Sequence, residues 1–377
     1  CARQENPHRQ LPYPRHDWAA RGTRVTVLKL GSLFDGIGVF PLAALHCGIE
    51  PVWASEIEAR PISITKRHFP DMLHLGDITK ISGAEIPPVD VITFGSPCQD
   101  LSQIGTRNGF AGKKSSLFYQ AMRIIEEMRY ATNGRYPAFC IWENVAGAFS
   151  SNDRMDFAAM LSAFTGAEVS VPPRGWAHAG MVRGGCADTA WRLLDAQYWG
   201  EPALAQRRKR VFVVADFAGQ RAGEVLFKPR TMFPFSSIGG PGGLPATQRG
   251  GVPAAQTGRQ VPIVRPFSLR RMRTMAQVGD QKGFCASFGR GGEPFPTLLA
   301  SVTAPFSFWY EGEEQDGFLR VLTPLECERL MGLPENWTKY GCKNEEISDH
   351  ARYRALGNSI ALPCAEYVMA GIAEVMN

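Results

Sequence analysis

No stretch of this sequence approaches the ~20 apolar residues that a membrane-spanning helix needs, so the expectation is a soluble chain with no membrane partner. None of its nine cysteines forms a C-x-x-C pair, and their spacing is irregular. That argues against a disulfide framework or zinc knuckle, and for a reducing, cytoplasmic compartment; no metal site is expected. There is no internal repeat. The opening CARQENPHRQLPYPRH is polar and Pro-rich, unlike a secretory leader, and it lacks an initiator Met, so a trimmed chain is expected.

What is present suits a large α/β domain with an inserted module. The chain has 377 residues, 44% of them hydrophobic and 10% aromatic, which excludes wholesale disorder. Lys and Arg number 41 against 36 Asp and Glu, a net charge of +5. The excess is local. Residues 217–310 hold eleven Lys and Arg, three Asp and Glu, fourteen Gly and ten Pro. A basic segment on a mildly acidic body suggests a surface for a polyanion. The alternative is a solvated loop region with incidental arginines.

The pattern predicts an irregular arm over 1–24, then alternating strands and helices from 25 to 216. Strands are expected at 25–33, 52–55, 89–94, 138–142 and 211–215, and helices at 41–46, 59–69 and 117–128. Repeated strand–helix units argue a doubly wound, mostly parallel sheet. Periodicity lapses over 217–310 and returns in a capping box at Thr323-Pro-Leu-Glu326 and a last helix over 359–376.

Four constellations carry chemistry. Phe34-Asp35-Gly36-Ile37-Gly38 follows the first strand, where glycines let backbone approach a ligand. Alone this is an ordinary tight turn. Eighteen residues beyond Gly38, Glu56 is placed to accept ribose hydroxyls, and Asp77 could accept from an adenine amino group. Together they suggest an adenosine-containing cofactor. Second, Gly95-Ser-Pro97-Cys98-Gln99 follows a buried strand, at the edge where open α/β sheets bind ligands. Cys98 lies in a polar, Pro-stiffened loop, whereas Cys47, Cys140, Cys327 and Cys364 read as buried small hydrophobes. Third, Glu143-Asn-Val145 follows the next strand at the same edge, although a lone Glu there also suits a helix cap. A thiol and a carboxylic acid together permit covalent catalysis with proton transfer. Fourth, Gln206-Arg-Arg-Lys-Arg210 leads into a strand whose alternation puts Arg208 and Arg210 on one face.

Collectively these motifs resemble the DNA (cytosine-5)-methyltransferase family, in its order, over roughly 25–216 and 318–377. Arg320-Val-Leu-Thr-Pro-Leu-Glu-Cys-Glu-Arg-Leu-Met-Gly-Leu-Pro334 and Gly357-Asn358-Ser359 complete the set. One departure is Val39, where the family usually has Gly. The resemblance implies a Rossmann-like lobe over 25–216 that binds S-adenosylmethionine. A smaller target-recognition lobe would follow over 217–317, and a C-terminal segment, 318–377, whose last helix returns to the first lobe. It implies Cys98 as the nucleophile toward cytosine C6, Glu143 as the group at N3 and the exocyclic amine, and Arg210 as the contact to O2, with Arg208 supporting the same catalytic pocket. Phe34 would stack on adenine. Ile57, Ile78, Pro97, Leu117, Asn358 and Ser359 would line the cofactor site with Asp35, Gly36, Ile37, Gly38, Glu56 and Asp77.

The implied partner is double-stranded DNA with its target base flipped out. A bacterial or phage monomer is expected, with a cognate restriction endonuclease in the same system but no stable complex. Competing readings are a tRNA methyltransferase of the same family, a non-catalytic nucleic-acid binder and a nicotinamide oxidoreductase. A binder needs no nucleophile, and nothing around Cys98 or Glu143 serves hydride transfer.

Overall fold

A computed structural model describes residues 27–96, 117–228, 263–267, 297–298, 307–312 and 315–377. The expected arm over 1–24, the residues Pro97 and Cys98, and most of the expected recognition region lie outside them. The main sheet has eight strands: β1 (Lys29–Leu33), β2 (Glu50–Ser55), β3 (Leu73–His74), β4 (Val91–Phe94), β5 (Phe139–Val145), β6 (Ala179–Arg183), β7 (Asp188–Asp195) and β8 (Lys209–Asp216). Their order is β3-β2-β1-β4-β5-β8-β7-β6. The five strands from β3 to β5 pair in parallel, as the strand–helix rhythm requires. The last three ladders, β5–β8, β8–β7 and β7–β6, are antiparallel.

Alternation along each strand divides the apolar residues between two cores. In β5, Phe139 and Ile141 enter one core and Cys140 and Trp142 the other; in β8, Phe212 and Val214 oppose Val211 and Val213. The first core takes α1 (Val39–His46), α5 (Ala222–Leu226) and α8 (Leu362–Met376); the second takes α3 (Leu117–Ala131) and α4 (Met155–Thr165). The sheet is therefore covered on both faces, which identifies it as doubly wound. One close approach depends on glycine: a Cβ on Gly31 would lie 2.1 Å from the Trp53 ring. The indole held there donates to Pro87 O at 2.9 Å.

The C-terminal segment closes the first core. Thr323 caps α6 (Pro324–Leu330) in a reciprocal box with Glu326, as the sequence predicts. The buried Glu328 carboxylate accepts from the backbone of Asn336 and Thr338 and pairs with Arg352 on α7 (Asp349–Asn358) at 3.1 Å. Trp337 donates to Ile37 O at 2.8 Å, bracing the turn after β1 from across the chain. His46 of α1 meets Glu366 of α8 at 2.6 Å. Among the residues between 229 and 321, β9 (Ile263–Phe267), β10 (Ser307–Gly312) and β11 (Gln315–Val321) form an antiparallel sheet in the order β11-β10-β9.

No single helix among the described residues is long and apolar enough to cross a membrane. The bent pair α7–α8 passes by composition, but most of the apolar side chains of α8 are buried in the first core.

Candidate active site

The chain leaves β1 through three left-handed residues, Phe34 (φ 54°), Gly36 (φ 59°) and Gly38 (φ 78°), before α1 begins at Val39. Such backbone costs little for glycine, whereas Phe34 stores about 1 kcal/mol or more of strain, a common mark of a ligand-binding turn. Val39 begins the helix and is not among the left-handed residues, so its branched side chain is compatible with the turn. The turn opens onto a cavity of about 810 Å³ at the carboxyl edge of β1, β2, β4 and β5.

Phe34, Asp35, Gly36 and Ile37 line this cavity. Gly38 does not: it lies against α2 (Ala59–His68) and the residue after it, where a Cβ would come within 2.9 Å of Thr65 and 2.8 Å of Phe69. Its glycine is needed for φ and packing, which corrects the expectation of a ligand contact. Glu56 follows β2 and is oriented by its own backbone. Its Oε2 accepts from Gly36 N at 2.9 Å, and Oε1 from Ile57 N and Glu58 N at 2.7 and 2.9 Å. Asp77 follows β3 and accepts from the backbone and hydroxyl of Thr79, bonds that lower its pKa. Ile57, Ile78 and Leu117 supply apolar wall, and the Ile57 side chain is 72% exposed. Asn358 and Ser359, at the end of α7, form the facing side.

Beyond these lies an acid–base corner. Glu143 and Asn144 are the fifth and sixth residues of β5, not residues following it; the strand runs on because Val145 still pairs with Arg210 of β8. Glu143 is buried, and burial raises its pKa, while Arg210 and then Arg208 pull it down. Arg210 Nε lies 3.1 Å from Glu143 Oε1. A Cβ on Gly95 would sit 3.1 Å from Glu143 Oε2, so the carboxylate rests against the end of β4. Ser96 is clamped by two side chains of β5: its hydroxyl accepts from Trp142 Nε1 at 3.1 Å, and its carbonyl from Asn144 Nδ2 at 2.9 Å.

Arg208 stands behind the cavity wall. It precedes β8, is fully buried and is not part of the cavity wall. Its guanidinium donates to the carbonyls of Leu298 (3.0 Å), Gly357 (2.9 Å) and Ser359. It positions the Asn358–Ser359 wall rather than touching a ligand. The sequence reading also passed over His350, Ala351, Arg354 and Ala355 of α7, which reach the cavity. Their i, i+1, i+4, i+5 spacing was the available signal.

The bland reading of the other cysteines agrees with their surroundings. Burial pushes the Cys327 thiol up to about 12 and raises Cys140 and Cys364 well above the ordinary range.

A large cleft at the carboxyl edge of a doubly wound sheet, walled by a glycine turn and two strand-end carboxylates, has the form of a nucleoside-cofactor transferase site. Residues 28–230 and 268–374 match the sequence model of C-5 cytosine-specific DNA methylase, and the chain belongs to that family. Among curated relatives it is similar to a protein of Escherichia phage P1 named DNA N-6-adenine-methyltransferase, 24% identical over 90% of this chain and 60% of the relative. It is also similar to the type II methyltransferase M1.ScrFI of Lactococcus lactis subsp. cremoris, 27% identical over 92% of this chain and 78% of the relative. The chain thus spans about three fifths of the phage protein's length. Among solved structures, an S. pombe Dnmt2 methyltransferase shares the fold, with a TM-score of 0.56 at 16% identity over 93% of this chain and 99% of that one.

Proposed function

We propose that this chain methylates C5 of a cytosine flipped out of duplex DNA, using S-adenosylmethionine and a transient bond from Cys98 to C6. The observation that carries the reading is the Glu143 corner. A buried carboxyl with a raised pKa rests against Gly95, beside Arg210, and Ser96 is held by Trp142 and Asn144. Chain connectivity alone keeps Cys98 Cα within about 7 Å of Ser96 Cα.

The chemistry explains why these residue types stand together. C5 of cytosine is a poor nucleophile. Addition of the Cys98 thiolate to C6 breaks the ring's conjugation and leaves enamine-like density at C5. Glu143, protonated or hydrogen-bonded at N3, stabilises the charge that builds there. Arg210 holds O2 and steadies the Glu143 carboxyl. Loss of the C5 proton and expulsion of the thiolate restore the ring. Bound in the cavity, S-adenosylmethionine supplies the electrophilic methyl group. Phe34, Glu56, Asp77, Ile57, Ile78, Leu117, Asn358 and Ser359 would hold it, with Pro97 beside the nucleophile. The fit rests on two features the protein does not satisfy itself: the exposed Ile57 side chain and the unpartnered Asp35 carboxyl. An in-helix base cannot reach such a recessed corner, and flipping costs a few kcal/mol. The reaction belongs in the cytoplasm of a bacterium or phage-infected cell, within a restriction–modification system, by a monomer.

The phage relative's name points to a different product, N6-methyladenine. An exocyclic amine needs no thiol to activate it, so the Ser-Pro-Cys-Gln sequence favours C5. Nucleoside mass spectrometry of duplex DNA and of tRNA incubated with the protein and labelled S-adenosylmethionine separates the readings: 5-methylcytosine in duplex is expected. Methyl label in adenine, or in tRNA alone, would overturn it. Duplex containing 5-fluorocytosine should trap a covalent complex whose peptide map ends at Cys98; a map to another residue rejects that nucleophile.

A further inference from the structure

One carboxyl on the cavity wall has both of its oxygens unsatisfied. Both carboxyl oxygens of Asp35 are buried, and neither has a hydrogen-bond partner among the described residues. Its backbone is fixed, the N–H donating to Ser55 O at 3.1 Å and the carbonyl accepting from Gly38 N at 3.2 Å. The side chain therefore stays in the turn that lines the cavity. The charged groups on the same wall are Glu56 and Glu58 after β2, Arg60 on α2, Asp77 after β3, Glu143 and Arg210 at the far corner, and His350 and Arg354 on α7. Two of the cations are engaged by other carboxylates: Arg210 meets Glu143, and Arg354 meets Glu58 at 2.7 Å. Glu56, the nearest influential charge, is of the same sign and disfavours ionisation of Asp35. Burial is the larger cause; with a partial offset from the Ser32 hydroxyl, the pKa is pushed up to about 7.

A buried carboxyl with no hydrogen bond of good geometry, and only the Ser32 hydroxyl to offset its burial, is costly as an anion and tolerable as a neutral acid. A cation brought against it reverses that balance. We infer that Asp35 keeps its proton in the free protein and releases it to solvent when the methyl donor binds, so that its carboxylate faces a cationic centre of that ligand. This rests on the cofactor reading above and adds to it a proton-linked loading step. The one bond broken is the carboxyl O–H: its electrons stay on Asp35, the proton passes to solvent, and one ion pair forms. The sign follows from linkage. Below about pH 7 the proton must be displaced, so affinity weakens as pH falls; above it the carboxylate is already ionised and affinity levels off. Two centres qualify, the sulfonium and the amino-acid ammonium, and S-adenosylhomocysteine carries only the second.

Calorimetric titration of the full chain with each ligand, in buffers of different ionisation enthalpy at pH 6 and pH 8, tests this. Release near one proton is expected at pH 6 and near none at pH 8. Affinity should fall by up to about tenfold per pH unit below 7, the slope of one linked proton. Asp35→Asn should abolish the release and flatten the profile. If it weakens S-adenosylmethionine alone, the partner is the sulfonium; if both ligands suffer alike, the ammonium; either supports the inference. Binding of both ligands without proton release at pH 6, or release that survives in Asp35→Asn, overturns it. Binding of neither ligand overturns the cofactor reading itself, and the inference falls with it.

Discussion

Cys98 and Glu143 are separated by 45 positions in sequence, yet the strands preceding and carrying them are neighbours: β4 and β5 pair from Val91↔Phe139 to Phe94↔Trp142. That register brings the end of β4 against the Glu143 carboxyl, the neighbourhood that the proposed thiol–acid pairing requires. Cys98→Ser should therefore abolish turnover while leaving the dissociation constant for S-adenosylmethionine within about twofold, because a hydroxyl is far less nucleophilic than a thiolate but similar in size. Equilibrium binding and a methyl-incorporation assay read the two effects separately. Glu56 stands out in sequence because it comes just after the buried end of β2, whereas Asp77 follows only the two-residue β3, whose Leu73 is exposed. Asp35 was legible only as one member of the turn expected to line the cofactor site, with no role of its own. Its importance lies in the lack of a partner, which no spacing rule reveals. Gly38 misled for the opposite reason: a glycine demanded by φ and by Phe69 looks in sequence like one demanded by a ligand.

Among the elements, the parallel strands were readable from short apolar runs between glycines, and β6 and β7 were not. In Asp188-Thr-Ala-Trp-Arg-Leu-Leu-Asp195 both ends are acidic, which disguises a buried strand. Each acid has a remote partner: Asp188 takes Arg183 and Ala222 N, and Asp195 takes Arg208 N. Helix α7 was missed because its tyrosine and arginines blur the stripe, although Arg352 is buried against Glu328. Arg208 belongs to this scale, since it joins the approach to β8, Leu298 and the α7–α8 link. Arg208→Ala would leave three buried carbonyls short of donors. It should cost about 3 kcal/mol of stability in urea titrations and weaken cofactor binding through the displaced Asn358–Ser359 wall. Arg208→Lys should recover part of the stability but not the full set of carbonyl contacts, because an ammonium lacks the planar fork.

Across the whole molecule, charge and topology divide the work. The cavity lies at one edge of the sheet, while eleven of the cations fall in 217–310. If about five of these neutralise phosphates, log affinity for duplex DNA should fall with log salt at a slope of about −4 to −5. Filter binding across a range of potassium chloride concentrations measures it, and a slope near zero would reject that segment as the DNA-facing surface. The basic composition was legible; which side chains read bases was not, because base recognition depends on a few side chains placed in a groove rather than on any local pattern.

The pairing of His46 with Glu366 spans 320 positions. A ribosome adding about 5–20 residues each second takes roughly 16–64 s to travel that distance. Through that interval the face of α1 that α8 will cover has no mate, and the Asn358–Ser359 side of the cleft does not yet exist. A nascent chain that stops short of α7 can thus hold every strand of the main sheet and still lack one side of the cleft, so the cavity is complete only once the C-terminal segment has folded back.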